Sequence, residues 1–355
     1  MKQKVLFVAT VDSHIELFHL PYLKMFKDRG YEVHVATNSD KKIKYCDKKI
    51  KLPIKRSPFR LSNLKAIFVL KKILKTEKYD IIHCHTPMGG VVARLAAKKA
   101  RRAGTRVIYT AHGFHFYKGA PILNWLLYYP VEKWLSKYTD TLITINEEDF
   151  ERAKEKFNKR CSDIQYVPGV GVDEKKFSKK LSSVEKLKLK ESLGLKDTDI
   201  VLICIGRLDK NKNQGFLVKV MKELSDDYHL LLVGPDEING KYQKLANKLG
   251  IMERVHFLGF RNDIEELLQI SDIAVSASKR EGLPVNLVES TCVGLPLVIL
   301  DCRGGRDVCM AGNGVVLPQD DLKAFTDNIR VLKNNDCTVF DLGIVTEMME
   351  KIYEG

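Results

Sequence analysis

Two carboxylates bracket a Gly-Leu-Pro turn in the stretch KREGLPVNLVES, where Glu281 precedes Gly282, Leu283 and Pro284, and Glu289 follows eight positions after Glu281. An ionised carboxylate accepts hydrogen bonds and cannot donate, so the neighbouring hydroxyls of a polyol are its natural ligand. A pair at this spacing is suited to two polyols, such as a sugar ring and a ribose, with the amides near Gly282 and Leu283 meeting a phosphate between them. Taken singly, plainer readings are favoured: Glu281 as a charge at a helix N-terminus, Glu289 as an exposed helix position. A second set lies in GRLDKNKNQ, where Arg207 and Lys212 follow an apolar run and precede a helical pattern. Cations beside a helix N-terminus suit a diphosphate, and a solvated basic loop fits these two equally well. His112 ends the run RVIYTAH before Gly113; an imidazole there either positions a hydroxyl, stabilises developing charge, or simply packs at the strand end. His83, Cys84 and His85 are consecutive, but alternation along a strand sends neighbours to opposite faces, so no metal set is expected.

These residues need a scaffold that brings strand ends together. Short β-branched runs recur at 5–10, 32–37, 80–85, 106–112, 141–146 and 164–168, and again at 200–206, 229–234, 254–259, 272–278, 295–300 and 314–318. Helical patterns separate them. Leu217, Val220, Met221 and Leu224 follow the spacing of a buried helix face, and Val285, Val288 and Cys292 mark another, with Pro284 in its first turn. Strands alternating with helices imply parallel sheets with crossover connections. The expected fold is α/β, two Rossmann-like, doubly wound domains facing across a cleft, joined at the turn-rich stretch PGVGVDEKKFSKKLSS. The first domain is placed at 1–170, the second at 171–339, and a C-terminal helix at about 340–355 is expected to pack back on the first.

Composition narrows the function classes. The chain has 355 residues and a net charge of +14. Residues 1–173 hold 33 Lys and Arg against 17 Asp and Glu, a net +16, and the remainder holds 26 against 28, a net −2. Such an excess points to an anionic partner. No helix-turn-helix, zinc module or RNA-binding aromatic signature is present, so nucleic acid is not expected. There is no G-x-G-x-x-G after a strand in the second half and no P-loop G-K-[ST]. Eight scattered cysteines without a C-x-x-C pair read as reduced core thiols, and with no apolar run of about 18 residues the chain is expected to be soluble and cytoplasmic, or peripheral to a membrane.

The motifs together resemble glycosyltransferase family 4, retaining enzymes with the two-domain GT-B fold. KREGLPVNLVES resembles that family's E-x7-E motif, GRLDKNK its G-R-L with downstream lysine, and VPGVGVDEKKF its linker. The first half, with VATVDSHIELFHLPYLKMFKDRGYEVHVAT, IIHCHTPMGGVVARLAA and YTAHGFHFYKG, is similar to bacterial exopolysaccharide and capsule glycosyltransferases. The resemblance implies that Arg207 and Lys212 neutralise the donor diphosphate and that Glu289 binds the ribose. It places the donor sugar at Glu281 with the Gly282–Pro284 turn, the base at Phe260 and Arg261, and the reacting centre near His112. Asp12, His14 and His115 stand on the acceptor side; ATVDSH replaces a glycine-rich loop found in many members, and Gly169 replaces a linker asparagine.

The implied chemistry is front-face transfer of a sugar from a nucleotide sugar, a UDP-sugar first, with no metal and no cofactor required. The implied acceptor is a polyprenyl-diphosphate-linked saccharide. PILNWLLYYPVEKWLSKY (121–138) and LKAIFVLKKILKTEKY (64–79) combine apolar and cationic residues and are suited to an anionic membrane surface, or equally to packing on the sheet as crossover helices; the charge of the first half favours the membrane, and the expected place is cytoplasmic, peripheral on the inner face of the cell membrane. A nucleotide-sugar 2-epimerase of the same fold and a non-catalytic sugar-nucleotide or lipid-binding protein are the competing readings.

Overall fold

The computed structural model describes residues 2–161, 163–177, 179–312, 314–331 and 342–354; Cys337 of the cysteine set lies outside them. The chain divides into two compact units, Met1–Val170 with Val345–Gly355, and Gly171–Ile344. At the junction Gly169 has φ 74°, a left-handed conformation that glycine and asparagine adopt more readily than other residues.

The first unit carries strands β1 (Lys4–Val8), β2 (Glu32–Thr37), β3 (Lys48–Lys51), β4 (Ile81–His85), β5 (Arg106–Ala111), β6 (Thr141–Thr144) and β7 (Asp163–Tyr166). They form one parallel sheet in the order β3-β2-β1-β4-β5-β6-β7. Both faces are covered by helices, which is why the strands read as continuous apolar runs. Along β1, Leu6 and Val8 enter one core and Val5 and Phe7 the other. β3 was not expected from the sequence. Its KKIK carries one apolar side chain, Ile50, which is buried, and lysine-rich edges of this kind discourage strand addition.

The helix Ile122–Leu135 is anchored by a buried ion pair, Arg94 Nη2 to Glu132 Oε2 at 2.8 Å, with the Arg94 guanidinium 3.9 Å from the centre of the Tyr109 ring. Its aromatic residues Trp125, Tyr128 and Tyr129 pack on the core. Ile122, Leu123, Leu126, Leu127, Val131 and Trp134 face solvent.

The C-terminal helix Leu342–Glu354 buries Met349 and Tyr353 in the core that holds Val5 and Phe7. Tyr353 Oη lies 2.7 Å from His83 Nδ1, and Arg29 pairs with Glu350 and Glu354 at 3.3 and 3.1 Å.

The second unit carries β8 (Ile200–Ile205), β9 (Tyr228–Val233), β10 (Val255–Gly259), β11 (Ile273–Ser276), β12 (Leu297–Leu300) and β13 (Gly314–Leu317). Their order is β10-β9-β8-β11-β12-β13, all parallel. The helix Gln214–Glu223 buries Leu217, Val220 and Met221, with Leu224 behind them. In each sheet the strand order reverses once, between β1 and β4 and between β8 and β11. Open α/β sheets bind ligands beyond the carboxyl ends of the strands at such a switch point.

The Tyr353–His83 bond makes a prediction. Tyr353→Phe leaves a buried imidazole nitrogen without its partner, and the first unit is expected to lose about 1–3 kcal/mol. Both tryptophans lie in that unit, so their fluorescence in a urea titration reports the loss.

Candidate functional site

At the switch point of the second unit, Lys212 follows β8 and Glu281 follows β11. Lys212 Nζ lies 2.8 Å from Glu281 Oε1, at an angle that leaves Oε1 without a well-formed hydrogen bond. Both side chains are largely withdrawn from water. Burial alone would lower the Lys212 pKa, and the Glu281 carboxylate outweighs it, so the net shift is upward and the ammonium is retained.

The loop that delivers Lys212 is knitted from within. Asp209 Oδ1 accepts from the amides of Asn211 and Lys212 at 2.8 and 2.7 Å, and Gln214 Nε2 donates to the Arg207 carbonyl at 2.9 Å. Asn211 crosses to the other strand end: its carbonyl accepts from the Lys279 amide at 2.8 Å, and its Nδ2 donates to the Arg280 carbonyl at 3.0 Å. Lys212 and Glu281 are therefore held by two loops that are themselves joined.

The Gly282–Pro284 turn is braced from the helix Arg303–Ala311. Arg303 Nε donates to the Glu281 carbonyl at 3.1 Å. A Cβ on Gly304 would stand 1.9 Å from the Gly282 carbonyl oxygen, so only glycine permits this approach. Among the described residues, the amides of Gly282 and Leu283 donate to no protein acceptor. Pro284 is the N-cap of the helix Val285–Cys292, with ψ 98°; the sequence placed it inside the first turn. The helix buries Leu287, Val288, Ser290 and Thr291, while Val285 and Cys292 stay partly exposed. This short helix contacts β12 and the helices Glu174–Phe177 and Arg303–Ala311, so its buried face is wider than an apolar stripe predicts.

Glu289 behaves differently from Glu281. Burial, with the nearby Glu265 carboxylate adding to it and Lys176 opposing it, pushes its pKa up to about 7. Arg207 stands outside the buried pair, 59% exposed, with Nη1 3.1 Å from Glu237 Oε1. Phe260 is 76% exposed, and Arg261 forms a two-point contact with Asp263.

The first unit gathers a second constellation at its own switch point. His14 lies on the helix Asp12–Phe18 after β1, His19 between that helix and Leu20–Asp28, His85 at the end of β4 and His112 just after β5. His14 Nε2 lies 3.1 Å from His112 Nε2 and 3.2 Å from His19 Nε2, and His112 Nε2 lies 3.4 Å from His85 Nδ1. Burial lowers the His14 pKa to about 4 and holds those of His19, His85 and His112 well below the usual imidazole value. All four rings are neutral at pH 7.

His19 was not singled out by the sequence, and His85 was weighed only beside its strand neighbours His83 and Cys84, where no metal set is expected. Cys84 does point to the opposite face from His83 and His85, bonding the Ile108 carbonyl at 3.3 Å. The partners of His85 come from other elements, which adjacency along one strand could not reveal. The other acceptor-side candidates lie elsewhere. Asp12 accepts from Thr37 and Ser39 and pairs with Lys49 of β3 at 2.9 Å. Burial works to raise its pKa, and these three partners bring it below the usual carboxylate value. His115 packs against Tyr128, ring centres 4.6 Å apart.

The family model for glycosyl transferases group 1 matches residues 185–351, and that for glycosyl transferase 4-like proteins matches residues 4–146. The chain is 48% identical to "Putative glycosyltransferase EpsD" of Bacillus subtilis over 94% of this chain and 88% of that protein. It is 32% identical to the Escherichia coli UDP-Gal:alpha-D-GlcNAc-diphosphoundecaprenol alpha-1,3-galactosyltransferase, over 75% of this chain and 69% of that one. Among solved structures, Anabaena Alr3699/HepE in complex with UDP and glucose superposes with a TM-score of 0.76 at 20% identity, covering 99% of both chains. With two parallel sheets of seven and six strands and family matches in both halves, the chain belongs to the group 1 glycosyltransferases of family 4 and has the GT-B fold.

Proposed function

We propose that this glycosyltransferase moves a sugar from a UDP-sugar, with retention of configuration, to a polyprenyl-diphosphate-linked saccharide at an anionic membrane surface. The observation that carries the reading is the Lys212–Glu281 pair at the β8/β11 switch point, beside the amides of Gly282 and Leu283. An ammonium and a set of backbone donors held in place before the reaction stabilise the charge that develops as a diphosphate leaves. Glu281 holds Lys212 in position and offers its remaining acceptor capacity to donor-sugar hydroxyls. Glu289 takes the ribose hydroxyls, with Phe260 and Arg261 bordering the base. Arg207 reaches the phosphates from its exposed position. Asp12, already engaged by three internal partners, is left out of the substrate contacts.

The related E. coli enzyme uses UDP-Gal and a diphosphoundecaprenol acceptor and makes an alpha linkage. UDP-galactose is itself α-linked, so an alpha product is the retained configuration. For the acceptor, two exposed apolar faces flank the helix Pro87–Ala96. One is the helix Ile122–Leu135; the other is Phe59, Leu61, Leu64 and Phe68 among the exposed Lys55, Arg56, Arg60, Lys65 and Lys72. No helix among the described residues is long and apolar enough to cross a membrane, and apolar side chains set among lysines and arginines suit a bilayer surface.

The donor is tested by thermal unfolding with UDP, GDP and ADP, since a ligand at 100 times its Kd adds about 2.7 kcal/mol. UDP alone is expected to stabilise. Stabilisation by another nucleotide instead, or by none, contradicts the reading.

Three further outcomes follow. Glu289 binds ribose hydroxyls best as a carboxylate, so UDP affinity is expected to rise as pH increases through about 7, and Glu289→Gln to flatten that rise in calorimetric titrations. The sign for the ligand-free protein is opposite. A carboxyl with a raised folded-state pKa stabilises fully below its ordinary value, and that stability is lost as pH rises through about 7. Lys212→Ala and Glu281→Ala are each expected to lower kcat by about 10²–10³-fold, and the double variant to lose far less than the product of the two, because the residues act as a unit. Leu123→Asp with Leu126→Asp is expected to reduce co-sedimentation with phosphatidylglycerol vesicles while leaving the UDP-induced thermal shift in place.

A further inference from the structure

Four imidazoles, from the helix Asp12–Phe18 and its C-cap, the end of β4 and the residue after β5, converge at the β1/β4 switch point of the first unit. One ring nitrogen from each of His14, His19, His85 and His112 can be chosen so that all four lie within 4.8 Å of one another. Three of the distances, 3.1, 3.2 and 3.4 Å, bracket the edge of about 3.3–3.4 Å that a tetrahedron of nitrogens has at a Zn–N length of about 2.0–2.1 Å. We propose that these four histidines bind a divalent transition-metal ion, Zn2+ foremost, in four-coordinate geometry.

Three observations support the assignment. The three contacts run through only two shared atoms, His14 Nε2 and His112 Nε2, so ring protons can serve them all only if one N–H is split between two acceptors. An ion at the centre uses every facing lone pair at once. Second, His19 and His85 are enclosed, 2% and 0% exposed, and among the described residues His19 Nδ1 and His85 Nε2 have no partner. Burying polar rings so incompletely satisfied costs free energy, which metal–nitrogen bonds at the facing atoms offset. Third, the ligands are set before any ion arrives. His85 stacks on Phe7 and on His19, ring centres 5.9 and 3.8 Å apart. His83 beside it is fixed by Thr110 and Tyr353 at 2.8 and 2.7 Å. His14 and His112 keep partial exposure, which gives an ion its way in. An all-imidazole set suits Zn, Cu, Fe and Ni rather than Mg or Ca. A bound ion would occupy His112 Nε2 and leave Nδ1 as its remaining ring nitrogen.

The site does not rest on the sugar-transfer reading. Its test uses the full chain without a histidine tag, stripped with a chelator, then titrated with Zn2+ and separately with Co2+. The expected result is one ion per chain retained after desalting, measured by mass spectrometry of the metal. Co2+ is expected to give the intense visible absorption of four-coordinate geometry, and Zn2+ to raise the thermal midpoint. His14→Gln, on the exposed side of the cluster, is expected to weaken affinity more than about 10-fold, and His19→Gln to do the same if it folds. Absence of uptake by the wild type, a weak six-coordinate Co2+ spectrum, or wild-type affinity in His14→Gln would overturn the proposal. The UDP-induced shift, read on the same samples, reports the second unit separately.

Discussion

A lysine and a glutamate largely withdrawn from water must remain together, because removing one partner of such a pair strands the other charge at a cost of about 3–5 kcal/mol. Lys212 and Glu281 satisfy this requirement only because β8 and β11, consecutive in neither sequence nor crossover, are neighbours in the sheet. The surroundings serve the pair. Asp209 and Gln214 shape the lysine loop, Asn211 ties it to the glutamate loop, and Gly304 lets the helix Arg303–Ala311 close on the Gly282 carbonyl. A buried ion pair is a poor source of stability; in the proposed reading its value is a fixed ammonium where a leaving group needs one.

The two glutamates of the motif have separate electrostatic fates from one residue type. Glu281 faces a cation and Glu289 faces another carboxylate in a buried setting. One belongs to a preformed charge pair, whereas burial pushes the pKa of the other up to about 7; in the proposed reading it completes its charge when hydroxyl donors come. This is the division of labour expected when neighbouring carboxylates meet different surroundings.

Much of this was legible in the residues. Twelve apolar runs marked strands because parallel sheets covered on both faces leave little room for alternation, and strand ends pointed to Arg207, Lys212, Glu281 and His112. What escaped had physical reasons. β3 is an edge strand of lysines, where the apolar signal is reduced to Ile50. Arg207 and Lys212 looked equivalent by spacing, yet their positions at the strand end leave one exposed on Glu237 and bury the other on Glu281. The histidine cluster joins residues 14, 19, 85 and 112, and no local pattern encodes a convergence that exists only once β1, β4 and β5 lie side by side. Lys49 of the unexpected strand reaches Asp12, a contact that nothing in the sequence announces.

The central claim is sugar transfer from a UDP-sugar to a lipid diphosphate acceptor with retention. The most direct measurement incubates the purified protein with UDP-galactose, UDP-glucose and their N-acetylhexosamine counterparts and a short polyprenyl-diphosphate-linked N-acetylglucosamine. The lipid product is extracted and its new anomeric centre read by NMR. The account predicts one UDP-sugar donating its sugar in the alpha configuration, with UDP released in equal amount. A beta product, or transfer from a GDP-sugar but from none of the UDP-sugars, would contradict it.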